Sequence, residues 1–135
     1  MPRFRAILAL GLLLGCQQFD PPPVAERLVV SYPEGFTADF PNQAPGAILE
    51  VGVQVRTERG APVPGVDVLW DDGFLPSAAH PDRSQTDSEG ISRSHWLLRS
   101  LPAGQFSRKS VMRATIAGTA PLEYRVTVYP CSKGC

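Results

Sequence analysis

The chain has 135 residues, 43% of them apolar, which is room for one domain with a real core rather than a disordered tail. Thirteen basic and thirteen acidic residues cancel, so the strongly basic stripe of a nucleic-acid binder is absent and no nucleic-acid partner is expected. Twelve glycines and fourteen prolines suit many short strands joined by turns and argue against long helices.

Arg3 and Arg5 precede an apolar run from Ala6 to Leu14. Such a run is too short to cross a bilayer as a helix, and its charged flank gives it the profile of a signal peptide. Leu13-Leu14-Gly15-Cys16 then resembles a bacterial lipobox, in which a small residue precedes the cysteine that receives diacylglycerol. The resemblance implies cleavage after Gly15 and a lipid on Cys16 that holds the chain on a membrane of the cell envelope. Two or more acyl chains give stable anchoring without a spanning helix. An ordinary secretory peptide with an incidental cysteine is the plainer alternative. Gln17 and Gln18 follow, and by analogy with Gram-negative lipoproteins the lack of Asp at the second position implies the outer membrane, if the host is Gram-negative. Residues 1–15 are thus read as the signal peptide. Residues 16–23 are read as the lipidated cysteine and a stiff tether ending in Pro21-Pro22-Pro23.

From residue 24 to 129 the pattern predicts one β-sandwich of about seven strands. Alternation of apolar and polar residues between turn clusters is the signal. Leu28 to Tyr32 is the first strand. Ala47 to Thr57 is the clearest, with Leu49, Val51, Val53 and Val55 on one face and Glu50, Gln54 and Arg56 on the other. A period of two produces that split. Val66, Val68 and Trp70 share a face in the next strand. A long loop is expected from Asp71 to Arg83, with a short strand near Ser84 to Thr86. Ile91 to Arg99 turns Trp96 and Leu98 to the core, and Val111 to Ala117 groups Met112, Ala114 and Ile116. Leu122 to Tyr129 groups Leu122, Tyr124, Val126 and Val128.

The turns carry residue types with mechanical reasons. Glu58-Arg59-Gly60 offers a positive φ at its glycine, and Pro64-Gly65 has the order a type II turn prefers. In Thr86-Asp87-Ser88-Glu89-Gly90 the Asp87 carboxylate can accept a bond from the backbone N–H two residues on. Together with Gly60 to Val66, Trp96-Leu97-Leu98, Gly104 and Ala114 to Gly118, this segment resembles the bacterial immunoglobulin-like domain of group 1, the type found in invasins and intimins. The resemblance spans Val51 to Val128. It implies an all-β, immunoglobulin-like Greek-key sandwich with adhesive or structural use, no cofactor and no catalytic residues to carry over. The single copy and the long loop after Trp70 depart from the family's tandem stalks. Transthyretin-like and carboxypeptidase-regulatory-like sandwiches share this kind of turn and are the nearest fold alternatives.

Candidate chemistry is sparse. Cys131 and Cys135 close the tail at residues 130–135; a disulfide between them suits an oxidising compartment, and a metal or redox site is the sharper alternative. Neither a nearby histidine nor a second cysteine pair supports that alternative. His80 and His95 are the only histidines and are read as surface residues. Asp71, Asp72, Asp82, Asp87 and Glu89 would offer oxygen ligands to Ca²⁺ if they gathered at one end, although their spacing matches no known loop. Arg93, Arg99, Arg108, Lys109, Arg113 and Arg125 would face lipid phosphates if they shared a face. Trp70 and Trp96 fall on inward positions of their strands and are expected in the core rather than on a sugar. The leading expectation is a lipid-anchored, non-catalytic envelope protein that presents one domain to a protein or cell surface. A structural subunit of an envelope assembly is the alternative, and a small periplasmic enzyme with a pocket around His80 or His95 is a further one.

Overall fold

A computed structural model describes residues 26–130. The lipobox, the tether and Cys131 and Cys135 lie outside the described residues. Within them the chain forms eight strands and no helix. The strands are β1 (Leu28–Ser31), β2 (Ile48–Thr57), β3 (Asp67–Asp71), β4 (Ala79–His80), β5 (Arg83–Gln85), β6 (Ile91–Leu97), β7 (Arg108–Thr115) and β8 (Leu122–Val128). They make two four-stranded antiparallel sheets, ordered β1-β2-β6-β4 and β5-β3-β7-β8.

The alternation in the sequence decides which side chains lie between the sheets. Val51, Val53 and Val55 of β2 face Val68 and Trp70 of β3, Trp96 of β6, Met112 and Ala114 of β7, and Tyr124, Val126 and Val128 of β8 in one buried cluster. Trp70 and Trp96 are 0% and 1% exposed, as their strand positions required. Ser92 and Ser94 also point inward on β6, and each has a partner there. The Trp70 indole N–H donates to Ser84 Oγ at 3.0 Å, Ser84 and Ser92 share a hydrogen bond between their hydroxyls, and Ser94 donates to the Pro81 carbonyl at 2.6 Å. A buried hydroxyl left without such a bond would cost about 1–3 kcal/mol.

Two segments pass from one sheet to the other and close the sandwich at its edges. The first leaves β1, turns at Pro33, and runs parallel to β8, where Asp39 and Gln43 bridge to Arg125 and Val128. Phe40 N–H donates to the Arg125 carbonyl at 2.9 Å and Gln43 N–H to the Thr127 carbonyl at 3.0 Å. This covers an edge that would otherwise present unpaired backbone groups. Where β1 leaves β2, Gly52 loses its strand partner on that side. The Tyr124 hydroxyl replaces it, accepting from Gly52 N–H at 3.3 Å and donating to Gly52 C=O at 2.7 Å. Burial pushes the Tyr124 hydroxyl pKa up, against the smaller downward pull of the Gly52 bond, so it keeps its proton and both bonds. A side chain at residue 52 would press on Pro33 and Phe36, which pack over it.

The second crossing corrects the expectation of a plain loop from Asp71 to Arg83. Ala79 and His80 pair with Trp96 and His95 of β6, and three residues later Arg83 pairs with Leu69 of β3. A two-residue strand carries no periodicity, so alternation had no means of signalling β4. Strand β7 also starts three residues before the expected Val111, because residues 108–110 pair with β8 although their polar side chains carry no alternation.

Candidate functional site

The strand registers divide the molecule into two ends. One end holds the residues where the described chain begins: Leu28 lies opposite Thr57, and Glu26 pairs with Arg59 at 3.5 Å. The turns 58–66, 86–90 and 116–121 lie at the same end, since they join strand ends there. The loops 72–78 and 98–107 lie at the opposite end, together with Tyr129, because β3 and β6 finish there and β7 begins there.

The near end is built from short turns with reciprocal bonds. Thr86 Oγ1 donates to the Val63 carbonyl at 2.7 Å and accepts from Val66 N–H at 2.9 Å, which fastens the 58–66 turn to the 86–90 turn. Asp87 Oδ1 accepts from Glu89 N–H at 2.9 Å and from Ile91 N–H at 3.0 Å, the Asx geometry anticipated from the residue order. The Ile91 N–H above all, with lesser help from Glu89 N–H and Arg93, holds the Asp87 carboxyl below the usual carboxylate range. Gly90 has φ +74°, and a Cβ there would collide with the Val55 carbonyl oxygen and stand 3.0 Å from Val63 N. Only glycine fits.

The far end is more apolar. Leu75 is 99% and Phe106 85% exposed, and Phe74 is half exposed. Beneath them Arg99 ties the two loops together. Its Nε donates to Asp72 Oδ2 at 3.1 Å, its NH2 donates to the Pro76 carbonyl, and its guanidinium lies 4.9 Å from the centre of the Phe74 ring. The Asp72 side chain is only 4% exposed, so this ion pair is shielded from water on one side. Arg108 continues the frame by donating to the carbonyls of Ser100 and Arg99 at 3.1 and 2.9 Å.

The structure separates most of the residues that the sequence had grouped. Asp71 and Asp72 stand at the far end, while Asp87 and Glu89 stand at the near end and Asp82 lies in the crossing between β4 and β5. No group of three or more His, Cys, Asp or Glu converges into a metal cage among the described residues. The basic residues are split: Lys109, Arg113 and Arg125 share the outer face of the second sheet, and the other three lie elsewhere. Arg93 pairs with Glu50 on the outer face of the first sheet at 3.8 Å, and Arg99 and Arg108 are used within the far-end loops. Arg113 and Arg125 both reach Glu123 at 3.0 Å. These two guanidinia, Arg113 first, lower the Glu123 carboxyl, but the pairs are half exposed and add little to stability.

His80 and His95 are exposed, as expected, and the structure places them opposite one another. Neither lines the cleft of about 480 Å³ beside β3, β5 and β7, which is walled by Asp67, Leu69, Arg83, Gln85 and Thr115 among others. The similar cleft over Gln54, Arg56 and Arg93 also lacks them. Sequence reading missed the pairing of the two histidines and the far-end cluster. The first depends on β4, which had no signal, and the second on Arg99, whose partners are 27 and 23 residues away.

The chain matches no protein-family model and no curated protein. Its fold is similar to the D0-D1 domain of Intimin, with a TM-score of 0.52 and 16% identity, over 66% of this chain and 43% of that one. It is also similar to part of a Bacteroides ovatus GH5 xyloglucanase solved with a XXXG heptasaccharide, with a TM-score of 0.52 and 8% identity, over 79% of this chain and 20% of the enzyme. The chain therefore spans less than half the length of either. At such identities the likeness is one of fold, and the fold is an all-β immunoglobulin-like sandwich.

Proposed function

We propose that this chain is a non-catalytic envelope module, held by a lipid on Cys16, that presents its far-end loops to a protein partner. The carrying observation is polarity. The described chain begins at the end where Leu28 meets Thr57, whereas Phe74, Leu75 and Phe106 project from the other. A tether at Cys16 would hold the near end toward the membrane and direct the apolar tips away from it. Large apolar side chains exposed on the loops of one end are a usual mark of an interaction site. Membership of a structural assembly through strand addition has less support, because the outermost strands β1, β4 and β5 have only four, two and three residues.

Lipidation is tested by metabolic labelling with a palmitate analogue: wild type is labelled and Cys16→Ala is not, and equal labelling of both overturns the anchor. Partner capture is tested with a photo-crosslinking residue at Leu75, at Phe106, and at Thr119 of the near end. Protein adducts at the first two positions and not the third are expected. Adducts confined to Thr119 would reverse the proposed orientation.

A further inference from the structure

The chain has two histidines, separated by fifteen positions, and the fold brings them side by side. The pairing of β4 on β6 sets His80 directly opposite His95. Their neighbours Ala79 and Trp96, also opposite one another, are each 1% exposed and face the core. The two-residue period of a strand therefore turns both histidines outward, where both are exposed. On the other side of β6, Glu50 of β2 lies opposite His95 and is exposed too. Glu50, His95 and His80 form one row across three strands. Arg93, two residues before His95, reaches Glu50 from the next row at 3.8 Å.

We propose that His80 and His95 together chelate one borderline divalent transition-metal ion, of the Zn²⁺ or Ni²⁺ class. Neutral imidazole is a preferred ligand for these ions, whereas Ca²⁺ and Mg²⁺ take oxygen ligands. Side chains directly opposite on antiparallel strands have Cβ atoms about 4.5–5.5 Å apart, within the span that two imidazoles cover when each ring nitrogen sits about 2.0–2.1 Å from one ion. The backbone under the pair is fixed on both strands. Leu97 N–H donates to the Ala78 carbonyl at 3.0 Å on one side, and Ser94 Oγ donates to the Pro81 carbonyl at 2.6 Å on the other. The ligand-bearing residues thus reach the ion without ordering a loop first, which is the cost that weakens sites on irregular segments. Glu50, on the far side of His95, is paired with Arg93 and offsets its positive charge beside the row. With two imidazole ligands the ion keeps open positions, to be filled by water or by a donor from another molecule.

The test uses the full chain in detergent, with Cys16→Ser, Cys131→Ser and Cys135→Ser introduced so that thiolates outside the sandwich do not bind the ion. Calorimetric titration with Zn²⁺ is expected to show one ion per chain. His80→Asn and His95→Asn are each expected to weaken binding by more than about tenfold, since one imidazole alone cannot chelate. In parallel, Ni²⁺ at low ratio is expected to broaden the ring-proton NMR signals of both histidines together in the unsubstituted chain. Both positions are exposed, so the variants are expected to melt as the parent does; His80→Gln and His95→Gln serve if either asparagine variant does not fold. Absence of Zn²⁺ binding up to about 1 mM overturns the proposal. So does a loss smaller than tenfold in either variant, or broadening of one histidine alone.

Discussion

The two ends of the sandwich solve the same problem, the return of the chain between sheets, by opposite means. At the near end each turn is five to nine residues long and its polar groups are used internally. Asp87 caps two N–H groups, Thr86 bridges two turns, and Gly90 supplies a conformation barred to other residues. At the far end the loops have seven and ten residues, Arg99 and Arg108 frame them, and large apolar side chains stand in water. The near end spends its chemistry on its own folding. The far end leaves chemistry over for another molecule, which is why interaction surfaces are so often found on loops held by a rigid scaffold.

The sharpest way to break the near end is Gly90→Ala. Positive φ alone costs about 1 kcal/mol or more for a residue with a Cβ, and the collision with the Val55 carbonyl adds to it. A loss of more than about 3 kcal/mol is expected in chemical denaturation, within the range that only a few mechanisms produce. A variant that unfolds at the parent's denaturant midpoint would show that the turn relaxes freely.

The corresponding change at the far end is Arg99→Ala. It removes the partner of the sheltered Asp72 and the bond to Pro76, an expected cost of about 1.5–3 kcal/mol for hydrogen bonds to charged groups. Its effect is expected to stay local. Hydrogen exchange should quicken across residues 72–78 and 98–107 while β2 and β6 keep their protection. Equal loss of protection in both regions would mean that the far end is as integral to the fold as the near end.

Acid separates the two ends further. The Asp87 carboxyl is held below its ordinary range chiefly by Ile91 N–H, so its contribution to stability is present above the unfolded-state value and is lost as pH falls through the folded one. Asp87→Asn should therefore be less stable than the parent at neutral pH and should lose less on acidification. Thermal melts at pH 7 and pH 3 check this, and parallel declines in the two proteins would contradict it. Glu123, lowered by Arg113 and Arg125, adds a decline in the same direction that both proteins share.

The smallest expected effect on stability comes from the most conspicuous residues. Leu75→Ser and Phe106→Ser remove side chains that touch mostly water, so each melt should shift by no more than about 0.5 kcal/mol equivalent. A marked destabilisation would mean that these side chains pack on the domain. Unchanged melting with lost crosslinking would set the far end apart as a surface for a partner.

The near end was legible in the amino-acid order where its signals are local. Asp87 to Gly90 contains its own capping carboxylate and its own glycine within four residues, whereas the Thr86 bridge to Val63 and Val66, 23 and 20 residues away, was not legible there. Strands β2, β6 and β8 were legible for a similar reason: ten or seven residues of alternation repeat one signal often enough to fix strand and face together. Trp96 and Tyr124 followed from that into the core, and Trp70 from the shorter alternation with Val66 and Val68. What the order of residues did not contain was the pairing of short or irregular segments with distant strands. The run from Asp39 to Gln43 has no alternation of its own and is a strand edge only because β8 offers it hydrogen-bond partners. Strand β4 exists because β6 holds it, and with it comes the meeting of His80 and His95. The same holds for Arg99, which gathers Asp72, Phe74 and Pro76 from a loop more than twenty residues away. Local periodicity and turn chemistry act between neighbours in the chain, so the sequence alone determined the longer strands, their inner faces and the turn from Asp87 to Gly90. Edge closure, the histidine pair and the far-end loops depend on contacts whose partners are chosen only when the two sheets come together, and the tertiary structure decided them.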